Sequence, residues 1–266
     1  MEIVSYLAAL VIGFTLGLLG GGGSILTVPA LVYLVGINPV LSTAYSLFVV
    51  GSAALVGAFN NIRKGLVSVK TAIVFAIPSF IAVYLTRLYL VPAIPDQLFT
   101  IAGYTLTKDI AIMVFFALIM FLAAISMIRS SQKNKSVEED TVQVFNYPLI
   151  IADGLIVGTL TGIVGAGGGF LIIPALVLLT RLPMKLAVGT SLLIIAIKSL
   201  IGFMGDVQAG QLIEWGFLLS FTGVTIVGIL LGSYASNFVS GKQLKSSFGW
   251  FVLVMSVYIL VKELLL

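Results

Sequence analysis

Apolar residues run through this chain in long blocks separated by short polar breaks. The blocks fall at roughly 3–19, 25–35, 41–59, 71–91, 110–128, 148–164, 170–180, 186–204, 212–235 and 247–261. Most approach the ~20 residues that a helix needs to cross a bilayer, whereas 25–35 and 170–180 are too short. Apolar and polar positions do not alternate, so a lipid-spanning β-barrel is not expected. The pattern predicts an all-α polytopic membrane protein with about ten hydrophobic segments.

The hydrophilic stretch "RSSQKNKSVEEDTVQVFN", residues 129–146, separates two groups of five segments. It predicts a first unit at 1–128, a cytoplasmic linker at 129–147 and a second unit at 148–266. Sliding the chain by 145 residues lays 13–66 on 158–211 without a gap, and about 17 of the 54 pairs are identical. Leucine and valine matches are cheap in such a composition. Five glycines in register (Gly13, Gly17, Gly20, Gly22 and Gly23, the last four within "GLLGGGGSILTVPAL" and "GIVGAGGGFLIIPAL") and a proline are not, so the halves read as a duplication.

Loop charge predicts how the two copies lie. "NNIRKG" carries Arg63 and Lys64, while its counterpart "GDVQAG" carries only Asp206. One loop earlier the bias reverses: "GINPV" is neutral and "RLPMK" holds Arg181 and Lys185. Because basic loops stay in the cytoplasm, equivalent loops are expected on opposite sides of the membrane. The expectation is therefore two inverted-topology repeats of five segments in the cytoplasmic (inner) membrane, with both termini outside.

Composition narrows the chemistry. The chain is 60% hydrophobic and 9% charged, with a mean hydropathy of +1.20. It has no cysteine and no histidine, which removes thiol catalysis, Ser-His hydrolysis, and thiolate or imidazole metal sites. Asp153 and Asp206 lack the flanking motif of an intramembrane aspartyl protease, so no enzyme, metal or cofactor is expected. The basic residues occupy short loops and report topology, not nucleic acid. The opening Met-Glu-Ile-Val lacks the basic region of a cleavable signal, so 3–19 is expected to be retained.

The glycine runs carry the functional expectation. A phosphate loop is excluded, because no Lys-Ser or Lys-Thr follows them. Gly13 and Gly17, with their counterparts Gly158 and Gly162, have the four-residue spacing of close helix packing, as do Gly228 and Gly232. Gly20–Gly23 and Gly165–Gly169 are too glycine-dense to continue a helix, and each precedes a short segment. They predict broken or re-entrant hairpins whose second arms start inside the membrane, Ser24 capping the first arm. Pro29 and Pro174 fall at matching places along those arms. Free amides and the positive end of a helix dipole at two facing tips suit a compact anion. A purely structural hinge is the rival reading.

Other candidates join this site. Tyr45-Ser46 and Thr190-Ser191 hold equivalent positions and offer hydroxyls to a substrate, or bond back to their own helices. Lys198 sits near a helix centre, where a charge costs ~2.5–3.5 kcal/mol and faces a cavity or a partner. Its rival reading is snorkelling toward the interface near Asp206. Asp153 is a candidate ion-pair partner or proton carrier, as is Asp206. Arg87 reads as an interfacial anchor, and Asn60 and Asn61 as helix-end caps.

The paired Gly-rich motifs, each followed by a Ser-Leu step ("AYSLF", "GTSLL"), resemble the sulfite exporter TauE/SafE family of membrane transporters over nearly the whole chain. The resemblance implies transport of a small sulfur-containing anion, sulfite or an organosulfonate. It assigns motif roles to Gly22, Gly23, Pro29 and Ser46, and to Gly167, Gly168, Pro174 and Ser191. Lys198 departs from it, since a neutral polar residue such as asparagine is expected there. The substrate-binding set is thus Gly22, Gly23, Ser24, Tyr45, Ser46, Gly167, Gly168, Gly169, Thr190, Ser191 and Lys198. Expected partners are the anion and the bilayer, with a proton or sodium as coupling ion and a homo-oligomer left open. A passive anion channel, or a carrier of a non-sulfur anion, remains the alternative.

Overall fold

A computed structural model describes residues 2–101, 104–132, 147–179, 182–236, 238 and 241–265. Among these, each expected apolar block forms one helix. In the first half these are α1 (Glu2–Leu19), α2 (Gly22–Val35), α3 (Pro39–Arg63), α4 (Val69–Ala93) and α5 (Lys108–Gln132). In the second they are α6 (Tyr147–Val164), α7 (Gly169–Leu179), α8 (Met184–Gln208), α9 (Trp215–Ala235) and α10 (Gly241–Leu265). By length and composition, 6 of the described helices can cross a bilayer. The short arms α2 and α7 follow the two glycine runs.

Two details differ from the sequence expectation. Between two apolar blocks of a chain expected to be all-α lies an antiparallel pair, β1 (Gln97–Ile101) and β2 (Tyr104–Thr107), with Thr100 opposite Thr105. α5 continues through Gln132, into the hydrophilic stretch expected as linker; residues 133–146 of that stretch lie outside the described residues.

Local chemistry sets the helix ends. Asn38 caps α3, its side chain accepting from the Leu41 amide at 2.8 Å, and Pro39 supplies a first helical residue with no N–H to satisfy. Asn61, near the other end, instead bonds back to the Gly57 carbonyl through Nδ2. Arm α2 winds tightly as a 3-10 turn over Gly22–Leu26, then as α, then widens to a π turn over Leu31–Val35. Pro29, which cannot donate to the turn before it, lies in the brief α stretch between the two windings.

The helices pack in reciprocal pairs. α1 lies on α9 and α4 on α6, α3 lies on α8, and α5 lies on α10. Glycine permits the closest of these contacts. A Cβ at Gly17 would stand 2.6 Å from the Ser233 amide, and one at Gly13 2.9 Å from the Ile229 amide. On the matching seam a Cβ at Gly158 would meet Ser79, and one at Gly162 would stand 2.8 Å from Thr86 Cβ. Without side chains at these positions, backbones approach closely enough for dispersion contacts to hold them where no water drives association. The core centres on α3 and α8 (Val50, Ala54, Leu192, Ile195), while Leu7, Leu122, Leu219 and Val254 stand exposed. An apolar exterior around a packed interior is what lipid solvation requires.

Candidate functional site

The two glycine turns meet. Gly20 and Gly21 in the first, and Gly165, Gly167 and Gly168 in the second, all have φ between +64° and +112°. Only glycine takes that conformation without strain, so the density of glycine follows from the turn itself. A Cβ on Gly169 would stand 2.5 Å from Gly21 Cα and O, so the tips touch backbone to backbone. Each turn also rests on an equivalent residue of the opposite half: Gly20 on Val188, and Gly165 on Thr43.

Ser24 is not the cap that the sequence suggests. Gly21 holds the cap position, and Ser24 lies within the 3-10 turn, its hydroxyl donating to the Gly21 carbonyl at 2.7 Å. The tight winding draws Ser24 one turn inward and turns it back on the loop. Gly22 is buried in the same turn, and Gly23 backs onto α1, where a Cβ would stand 2.5 Å from Thr15 Oγ1. The second arm starts more openly. Its ladder begins with Leu171 and Ile172, whose amides donate to Gly168 O at 3.0 Å, so Gly169 and Phe170 lie ahead of it with their amides pointing out of the helix start.

Lys198 stands at this helix start. It is 0% exposed, which excludes snorkelling, and its Nζ donates to Thr161 Oγ1 at 2.9 Å. A Cβ on Gly168 would lie 2.8 Å from Nζ, so the ammonium sits against the second glycine turn. Thr161 is its hydrogen-bond partner among the described residues, which leaves further N–H donors on the ammonium. Asp153 is within electrostatic reach of Lys198 but makes no direct bond to it, and its Oδ2 has no partner among the described residues.

The hydroxyl candidates divide. Ser191 donates to Gly20 O and to Val188 O, both at 2.8 Å, tying α8 to the first tip. Ser46, its equivalent, is buried with no hydrogen-bond partner among the described residues. Tyr45 and Thr190 are engaged elsewhere. The Tyr45 hydroxyl accepts from the Glu214 amide at 2.7 Å, and Thr190 Oγ1 accepts from the Ser68 amide at 2.9 Å. Ser68 and Glu214 are the cap positions of α4 and α9, so this equivalent pair pins two helix starts. Tyr45→Phe is accordingly expected to lower thermal stability by about 1 kcal/mol and leave substrate affinity unchanged, read by melting and binding on one preparation.

Arg87 is not an interfacial anchor. It is 0% exposed, and Nη1 donates to Asp206 Oδ1 at 3.3 Å and to Thr43 Oγ1 at 2.9 Å. This pairing takes Asp206 away from Lys198. Arg87 lies in a π turn, Thr86–Leu90, which adds a residue to the winding and rotates the side chains after it. Helical periodicity in the sequence does not show such a turn. The available signal was a lone arginine in the 71–91 apolar block, with no other charge within it to pair with. Among the described residues, no group of three metal-ligating side chains comes together.

A family model described as sulfite exporter TauE/SafE matches residues 5–262. The chain belongs to the TauE/SafE family. A probable membrane transporter protein of Xylella fastidiosa (strain 9a5c) is 30% identical over 252 residues, covering 94% of this chain and 91% of the relative. The probable membrane transporter protein YunE of Bacillus subtilis (strain 168) is 26% identical, covering 86% of this chain and 88% of the relative. No solved structure matches. With its apolar helices, this TauE/SafE chain is a multi-pass membrane transport protein.

Proposed function

We propose that this TauE/SafE chain is a secondary transporter of a small sulfur-containing anion, of the sulfite or organosulfonate class, across the cytoplasmic membrane. The observation that carries the reading is a fully buried lysine set against a glycine turn at the start of α7. An ammonium buried in a bilayer protein needs a counter-charge in direct contact; Thr161 supplies only a neutral oxygen, and Asp153 acts on it from a distance without a bond. The anion binds beside the point where the tips touch, on Lys198 Nζ and the amides of Gly169 and Phe170. Compact oxyanions suit this arrangement because several donors converge on a small volume.

Inverted repeats give the site a transport mechanism. Shifting each helix to its equivalent turns the α1–α9 contact into α6–α4, and leaves α3–α8 and α5–α10 unchanged, as a two-fold relation between halves requires. Loop charge sets the halves in opposite orientation, with both termini outside. Rocking one half against the other then exposes a site at the meeting tips to each face in turn. A gradient supplies the energy, with a proton or sodium as the coupling ion.

Purified chain in proteoliposomes is expected to accumulate labelled sulfite against its gradient when a proton or sodium gradient is imposed. Lys198→Met is expected to weaken apparent affinity at least about tenfold, the loss of ~1.4 kcal/mol of charge-assisted binding. Flux that only equilibrates sulfite would identify a passive channel. Affinity unchanged in Lys198→Met would remove the lysine from the site.

A further inference from the structure

The Arg87–Asp206 pair uses only part of the arginine. Both of its bonds leave from Nη1, to Thr43 and Asp206. Nε and Nη2 are buried and have no partner among the described residues, and neither does Asp206 Oδ2. Nε and Nη2 share one edge of the planar guanidinium, the edge that receives two oxygens of one anion side by side. Such donors are costly to leave unpaired in a protein interior.

Their position is equally specific. Thr43, which accepts from Arg87, is the residue on which Gly165 rests, and Thr86 beside it packs on Gly162. Lys198 lies at the other end of the same glycine turn, against Gly168. Asp206 follows Lys198 by eight residues on α8, a rise of about 12 Å. Two buried cations therefore bracket the second glycine turn, and in the other half the positions equivalent to Lys198 and Asp206 carry Ala53 and Asn61 instead.

The geometry points to Arg87 as a second anion-binding residue, whose Nε–Nη2 edge grips two oxygens of the transported oxyanion on the outer side of the Lys198 site. This rests on the reading of the chain as an anion carrier and adds what selects the anion. A lysine attracts any small anion as a point charge. The arginine edge distinguishes anions presenting two oxygens from single-atom ions. Asp206 competes for the same guanidinium, so the carboxylate sets how tightly the oxyanion is held.

The test is binding to the purified full-length chain, with methanesulfonate and sulfite as two-oxygen probes and bromide as the single-atom probe. Wild type is expected to favour both oxyanions over bromide at least tenfold. Arg87→Lys keeps the charge and a donor for Asp206 but lacks the edge, so it is expected to lose that preference while its bromide affinity stays. Lys198→Met is expected to weaken all three anions together. Asp206→Asn keeps an oxygen for Nη1 without the competing charge, and is expected to tighten methanesulfonate several-fold. Wild type without an oxyanion preference would overturn the proposal without recourse to any variant. So would an unaltered preference in Arg87→Lys, or no gain in Asp206→Asn. Loss of binding in Lys198→Met alone would then leave the Lys198 site standing and remove Arg87. Binding unaffected by Lys198→Met would remove that site by itself.

Discussion

Gly168→Val is expected to abolish transport while the protein still inserts in the membrane. Gly168 has φ +70°, a region that a β-branched residue enters only with strain of roughly 1–3 kcal/mol. Its first side-chain atom would collide with the Thr161 methyl and stand 2.8 Å from Lys198 Nζ. The strain and the clash fall on the turn that presents the α7 amides and on the ammonium beside them. Insertion depends on the apolar content of the helices, which valine does not reduce. Transport measured in proteoliposomes at matched protein content checks this, with Gly36→Val as the control. Gly36 also has φ +84°, but nothing lies within 4 Å of a Cβ there and it is remote from the tips. Equal loss in both variants would assign the effect to backbone strain alone.

The second large effect belongs to the ion pair. Asp206→Ala leaves the Arg87 guanidinium buried with only Thr43 as a partner, and Arg87→Ala leaves the Asp206 carboxylate without one. Either change is expected to cost about 3–5 kcal/mol, because an uncompensated charge stays in the interior. Replacing both with apolar residues, Arg87→Met with Asp206→Leu, is expected to recover most of that loss, since neither charge then needs hydration. Thermal melting of wild type, Arg87→Met, Asp206→Leu and the double variant in one detergent gives the coupling between the sites. Two single-variant losses that simply add would show that the pair makes no contact of consequence. The double variant is also expected to retain stability but lose anion selectivity, which separates the structural use of the pair from the binding role proposed for Arg87.

The helices were readable because lipid imposes one rule on every segment: long apolar runs become helices with satisfied backbones. The short arms were readable too, since 25–35 and 170–180 are too brief to span and each follows glycine. What the apolar pattern hid were features that depend on winding or on partners distant in the chain. Ser24 looked like a cap because serine precedes an apolar run, but the 3-10 turn begins at Gly22 and makes Gly21 the cap. Arg87 looked interfacial because it stands near the end of an apolar block, yet α4 continues to Ala93 and a π turn directs it inward. Tyr45 and Thr190 were recognisable as a pair from the duplication. Their use, holding the amides of Glu214 and Ser68, depends on a loop that no local pattern places beside them. The small β1–β2 pair was missed because nine strand residues near apolar helices carry too little alternation to register.

In the proposed transporter the anion binds at the second glycine turn, between Lys198 and the start of α7. Selenite has the shape and charge of sulfite and scatters anomalously, so its selenium marks a position without assumption. Crystals of the full chain grown with selenite are expected to show a selenium peak within hydrogen-bonding reach of Lys198 Nζ and the Gly169 and Phe170 amides, absent in Lys198→Met. A peak confined to the protein surface, or one that persists unchanged in Lys198→Met, would contradict the account.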